Sequence, residues 1–130
     1  MFYKIFNIMK PIIKKSDYQT IKNIIISGNT NGFHIDLRQL QEELANCKIV
    51  EDNKVPKDVV KIGSEIEVQD MDNAHIIKAK IVLPNQSNLK EGKISLLAPL
   101  AVALIGVKKG KEVSWNMPAG IRRLKVLSVK

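Results

Sequence analysis

Apolar residues recur at helical spacing through the first third of the chain and at a period of two beyond residue 65. This change of period constrains the fold more than any other feature, because it demands helices first and a sheet afterwards. Ser16 and Gln19 have capping-box spacing, and Tyr18, Ile21, Ile24 and Ile25 then fall on one helical stripe. The glycines and asparagines of residues 27–32 stop that helix, since both tolerate left-handed backbone and have poor helix propensity. Asp36 and Gln39 repeat the capping spacing, and Leu37, Leu40, Leu44 and Cys47 run down a second helix. Two such stripes joined by a short turn predict an antiparallel helical hairpin over residues 11–50, preceded by an extension over residues 1–10.

Between Lys48 and Pro56 the periodicity lapses into a polar stretch suited to a hinge or linker, with the linker itself expected over 51–58. Beyond it, Glu65 to Gln69 alternate, 70–73 are turn-like, and Ile76 to Leu83 are rich in β-branched residues, which predicts a strand pair. A short strand at 94–97 follows. Pro99 is placed to open a helix through Leu100, Ala101, Ala103 and Leu104, closed by Gly106. Val113, Trp115 and Met117 share one face of the next strand, and 121–129 supply the last. The reading is α+β: a short helical hairpin, then over 59–130 a mostly antiparallel sheet with one short helix. The apolar positions suffice for two modest cores, and a monomer is expected, with Phe2, Tyr3 and Phe6 available for a contact.

One cysteine in 130 residues excludes a disulfide scaffold. The longest apolar stretch, 94–107, is broken by Ser95, Pro99 and Gly106 and falls short of the ~20 residues a membrane-spanning helix needs. The N-terminal run contains Lys4 and no small-residue cleavage site, so a cytoplasmic protein without a membrane partner is expected. The formal net charge is +8, and Lys108, Lys109, Lys111, Arg122, Arg123, Lys125 and Lys130 oppose Glu112 alone at the C-terminal end. Such a balance suits nucleic acid or an acidic protein surface. Lys108, Lys109, Arg122 and Arg123 are the candidates for electrostatic steering or phosphate contact; the competing reading is an ordinary solvated sheet face.

No catalytic constellation is visible, and an enzyme is not expected. His34, His75 and Cys47 lie in three different elements without metal-ligand spacing, so no metal site is assigned. Cys47 continues an apolar stripe, there is no G-x-S-x-G elbow, and Gly28 and Gly32 lack the strand and lysine of a phosphate loop. The pairs Glu42/Glu43, Glu65/Glu67 and Asp70/Asp72 read as solvated charge. Neither a cofactor nor a catalytic residue is assigned.

The run from Ile94 through Ser95, Leu96, Leu97, Ala98, Pro99, Leu100, Ala101, Val102, Ala103, Leu104 and Ile105 to Gly106 has the form I-S-x-x-[SA]-P-[IL]-[GA]-x-A-L-[LI]-G. It is followed in order by Lys109-Gly110-Lys111-Glu112-Val113, Met117-Pro118-Ala119-Gly120 and a closing strand. These segments resemble the C-terminal domain of the Gre-type transcription elongation factors. Val55-Pro56-Lys57-Asp58-Val59-Val60 after a short helical half resembles the branch called regulator of nucleoside diphosphate kinase (Rnk). The resemblance implies an FKBP-like domain that docks on bacterial RNA polymerase near its secondary channel, with Ala98, Pro99, Leu100 and Ala101 matching the polymerase-contact segment. Leu96, Leu100 and Leu104 are expected to point inward, Ala98, Pro99 and Ala101 outward. In full-length Gre factors the hairpin is a long coiled coil with an acidic D-x-x-E tip that helps hold a catalytic magnesium ion. Here the arms are about a dozen residues, roughly 18 Å, and the turn carries no acid, so transcript-cleavage stimulation is not expected. Ala98 stands where the family has serine, and Lys111 where it has aspartate. Two rivals are a nucleic-acid-binding module using the basic C-terminal region and a peptidyl-prolyl isomerase; the latter is rejected because Trp115 is the domain's lone aromatic.

Overall fold

In the computed structural model, residues 4–5, 11–28, 30, 37–117 and 120–130 are described, with the side chains of residues 4, 5, 39, 116 and 117 left aside. Strand β1 (Lys4–Ile5) comes from the segment read as an extension and pairs with the sheet. Strand β2 (Ile12–Lys14) runs directly into α1 (Lys15–Ser27), and α2 (Leu37–Ala45) leads into β3 (Lys48–Val50). Strands β2 and β3 lie parallel, with Ile13 opposite Ile49, and so clamp both ends of the hairpin at its base. The hinge expected from Lys48 onward thus begins with a strand. Three residues are too few to display a period, and a 3₁₀ turn over Asp52–Lys54 follows.

The expected Ser16–Gln19 capping box is absent. The extended residue before α1 is Lys14, with no side-chain cap, and Ser16 already lies inside the first turn. Its amide donates instead to Asp52 Oδ1 at 3.0 Å, so a carboxylate 36 residues away takes over the capping. The other end follows expectation: Gly28 adopts φ +70° and its N–H returns to Ile24 O at 3.0 Å. Asp36, of the second predicted capping box, lies outside the described residues.

Strands β4 (Glu65–Asp70), β5 (Ile76–Val82), β6 (Lys93–Ser95), β7 (Glu112–Met117) and β8 (Gly120–Val129) complete a six-stranded sheet in the order β1-β7-β8-β4-β5-β6. Four of its pairings are antiparallel, while β5 and β6 are parallel, which makes the sheet mixed. The change of direction comes from the connection after β5, where 3₁₀ turns at Pro84–Gln86 and Leu89–Glu91 carry the chain back before β6. Between β4 and β8 the register shifts at Glu67/Val68, a bulge that leaves Leu127 unmatched. It keeps Ile66 opposite Val129 and Val68 opposite Val126 on the inner face.

The short helix α3 (Pro99–Leu104) lies between that inner face and the hairpin. The two modest cores expected from the sequence are one continuous cluster. Ile13, Ile21, Leu40 and Leu44 of the hairpin region join Leu96, Leu97, Val102, Ile105, Trp115, Leu124 and Val126. The segments meet at Gly106, whose N–H donates to Val60 O at 2.9 Å and whose carbonyl accepts from Ile12 N–H at 3.0 Å.

Candidate functional site

Helix α3 owes its position to the turn before it. Ser95 is buried, and its Oγ accepts the Leu97 N–H at 3.0 Å while its carbonyl accepts the Ala98 N–H at 2.9 Å. Proline then occupies the first helical position, where a missing N–H costs nothing. Ala98 precedes it in extended conformation and has no side chain able to cap. Pro99 is exposed, and Ala98 and Leu100 are half-buried. Ala101, expected to face outward, has no exposed surface. The correction has a simple cause. With the sheet and the hairpin both packed on it, α3 has no solvent-facing stripe, and Val102, Ala103 and Leu104 are buried with Ala101. What remains accessible is the N-terminal end of the helix, formed by Ala98, Pro99 and Leu100.

The four candidate basic residues do not form one patch. Lys108 and Lys109 sit at the turn before β7, with Lys108 Nζ 3.9 Å from Asp58 and the Lys109 amide donating to Asp58 O at 2.8 Å. Arg122 and Arg123 lie farther along the ladder, opposite Trp115 and Ser114. Arg122 Nη1 is 3.5 Å from the buried carboxylate of Asp70, and Arg123 Nε and Nη2 both donate to Asp72 Oδ1 at 3.3 Å. These contacts lower the free positive charge at that end. Arg123 and Lys125 share the outer sheet face with Glu112 and Ser114, the solvated-face arrangement. Glu67 and Lys78 face each other on the same surface, 3.8 Å apart.

A second polar cluster, which the sequence did not reveal, joins the hairpin to the sheet domain. Asp17, in the first turn of α1, is 6% exposed; its Oδ2 accepts the Ile62 N–H at 3.0 Å and its Oδ1 is 3.8 Å from Lys14 Nζ. Burial raises its carboxyl above the ordinary value, against the opposing pull of the Ile62 amide and Lys14. Asp52 is held below its ordinary value by the bonds from Ser16. Lys61 Nζ donates to Val59 O at 2.9 Å, and burial, followed by the charge of Lys14, pushes its ammonium down.

His75 is exposed and Cys47 half-buried, its Sγ 3.4 Å from Glu43 O; His34 lies outside the described residues. Among the described residues no group of three or more His, Cys, Asp or Glu side chains is arranged to hold a metal ion. Nor is any described helix long and apolar enough to cross a membrane.

Residues 55–130 match the family model described as "Transcription elongation factor, GreA/GreB, C-term". Transcription elongation factor GreA of Clostridium acetobutylicum is 33% identical over 119 residues, covering 90% of this chain and 71% of the relative. The corresponding protein of Syntrophomonas wolfei is 31% identical over 121 residues, covering 92% and 72%. A solved GreA/GreB elongation factor from Nitrosomonas europaea superimposes with a TM-score of 0.71 at 25% identity, over 95% of this chain and 99% of that one. The family match covers β4 to β8 and α3, more than half of the chain, and the chain therefore belongs to the GreA/GreB family of transcription elongation factors, which are regulators and not enzymes.

Proposed function

We propose that this chain binds bacterial RNA polymerase through the exposed end of α3, at Ala98, Pro99 and Leu100, near the rim of the secondary channel. The hairpin then faces the channel and limits access to it without stimulating transcript cleavage. Gre factors bind bacterial RNA polymerase, and the docking segment lies within the residues that match their C-terminal domain. The observation that carries the second half of the reading is the hairpin itself. Helix α1 has 13 residues, about 20 Å of rise, and no acidic residue stands between Asp17 and Asp36. A carboxylate pair at the tip, needed to help hold magnesium in the long-hairpin relatives, has no residues here to supply it. The segment 55–60 and the short helical half favour the Rnk branch, in which an effect on nucleoside diphosphate kinase would be an indirect output of transcription.

In this reading 11–50 form the hairpin unit, 51–58 the connector and 59–130 the docking unit of a cytoplasmic monomer. Lys109 contributes long-range attraction to an acidic polymerase surface, with Lys108, Arg122 and Arg123 weaker because Asp58, Asp70 and Asp72 pair with them. The test is binding to core RNA polymerase at moderate salt, with Pro99→Asp alongside, followed by transcript-cleavage assays with and without a long-hairpin Gre factor. Micromolar binding lost in the Pro99 variant, no cleavage by the chain alone and inhibition of the Gre-stimulated reaction are expected. Binding to free duplex DNA with a steep salt dependence and none to polymerase would favour the nucleic-acid reading.

A further inference from the structure

The apolar seam between hairpin and sheet domain is non-directional: contacts among Ile13, Ile21, Leu40, Leu44, Val102 and Ile105 resist separation more than rotation. Direction comes from hydrogen bonds, whose geometry is narrow. Polar ties also cross the seam, three of them on the entry side of the hairpin. Ile12 N–H donates to Gly106 O, Ser16 N–H to Asp52 Oδ1 and Ile62 N–H to Asp17 Oδ2, each at 3.0 Å. The first fixes the strand that enters the hairpin, and the second holds the helix start to the connecting segment. The third joins α1 itself to the residues that lead into β4, across 45 positions of sequence.

We propose that Asp17 is a positioning residue that sets the direction of the hairpin relative to the docking end of α3. A carboxylate in the first turn of a helix is ordinarily solvated, where it complements the helix dipole. Here it is buried and committed to an amide of the other half of the molecule, a placement that a purely helix-capping role does not require. The carboxylate thereby converts docking at Pro99 into a defined hairpin direction. A hairpin too short to traverse the channel acts through direction rather than reach. This last step rests on the polymerase reading above; the rest stands without it.

The test uses the full chain in a Cys47→Ala background, spin-labelled at Asn23→Cys on α1 and Lys78→Cys on β5. Distances between the labels are measured in the free protein, and a narrow distribution is expected. Asp17→Ala, which removes the acceptor, should widen it, while Asp17→Asn, whose amide oxygen still accepts the Ile62 N–H, should keep it narrow. With polymerase, Asp17→Ala should retain affinity but lose antagonism of a long-hairpin Gre factor by about tenfold, and Asp17→Asn should restore it. An unchanged distribution in Asp17→Ala would overturn the assignment. So would loss of the near-ultraviolet signal of Trp115 in that variant, which would make Asp17 a folding residue. Failure of the wild type to bind polymerase would defeat the docking reading and leave the distance experiment to decide this one.

Discussion

Replacing Gly106 by alanine tests whether hairpin and sheet domain are joined as closely as the structure indicates. Gly106 has φ +85°, and a Cβ there would lie 2.6 Å from Pro11 Cβ, 3.0 Å from Ile12 O and 3.1 Å from Ile12 N. The left-handed backbone alone costs an L-residue about 1–2 kcal/mol. Carbon atoms pack best at about 3.5–4.0 Å, so the contact with Pro11 overlaps by roughly 1 Å. The neighbours are backbone and a rigid ring, and no rotamer change relieves the overlap, which adds about 1–3 kcal/mol. The total, about 2–5 kcal/mol, corresponds to a fall in Tm of roughly 7–17 °C for a chain of this size. Gly110 is the control. Its φ is +88° with nothing within 4 Å of a built Cβ, so Gly110→Ala should show the backbone strain alone, about 5 °C. Thermal unfolding followed by circular dichroism, with hydrogen exchange at the Ile12 amide, measures both. Equal falls in Tm for the two variants would refute the close approach at Gly106.

Leu44→Ala should cost about 3 kcal/mol, and because the core is continuous, far-ultraviolet dichroism and Trp115 fluorescence should report the same transition; separate midpoints would show two cores. The pKa of Asp17 is raised on folding, so the native state binds the extra proton between the ordinary value of 3.8 and the raised one, and stability falls as pH rises through that window. Asp17→Asn should therefore be the more stable protein at pH 7, with the advantage vanishing as pH falls through the window; a constant difference in Tm from pH 3 to pH 7 would contradict the burial of the charge. Asp52 has the opposite sign, its contribution being present above pH 3.8 and lost on acidification, so Asp52→Asn should flatten the acid limb of the stability curve. Removing the guanidinium in Arg122→Gln leaves Asp70 buried without its cation, and should destabilise the protein more than Arg123→Gln, whose partner Asp72 is solvated; equal effects in urea titrations would argue against the buried pair.

Much of the fold was legible where local chemistry decides it. The alternation at 65–69, Pro99 at the first position of α3, Gly106 after its end and the stop at Gly28 all act within a few residues, and each lies where the pattern put it. Strand direction is not written in such patterns, which is why the parallel pairing of β5 and β6 was not foreseen. Three-residue strands β2 and β3 are invisible to any period. Ser16 was misread for a related reason: its spacing to Gln19 is right, but β2 delivers the chain into the helix two residues too early for its hydroxyl to cap. Resemblance pointed to the start of α3, where Pro99 is exposed as expected, while Ala101 was misplaced because its outward face depends on what the hairpin covers. Asp17 could not be recognised, since its burial is set by an amide 45 residues away.

The parallel ladder of β2 and β3 makes hairpin length a free variable. It closes both arms at their base, so helical turns inserted after Ile25 and before Leu37, past the last residues packed on the core, leave the seam, α3 and the sheet untouched. Each seven residues added to both arms extends the tip by about 10 Å. Descendants of one such architecture can thus explore different depths by insertion and deletion alone, with the docking end inherited unchanged, and a designer can lengthen this hairpin without redesigning anything below it.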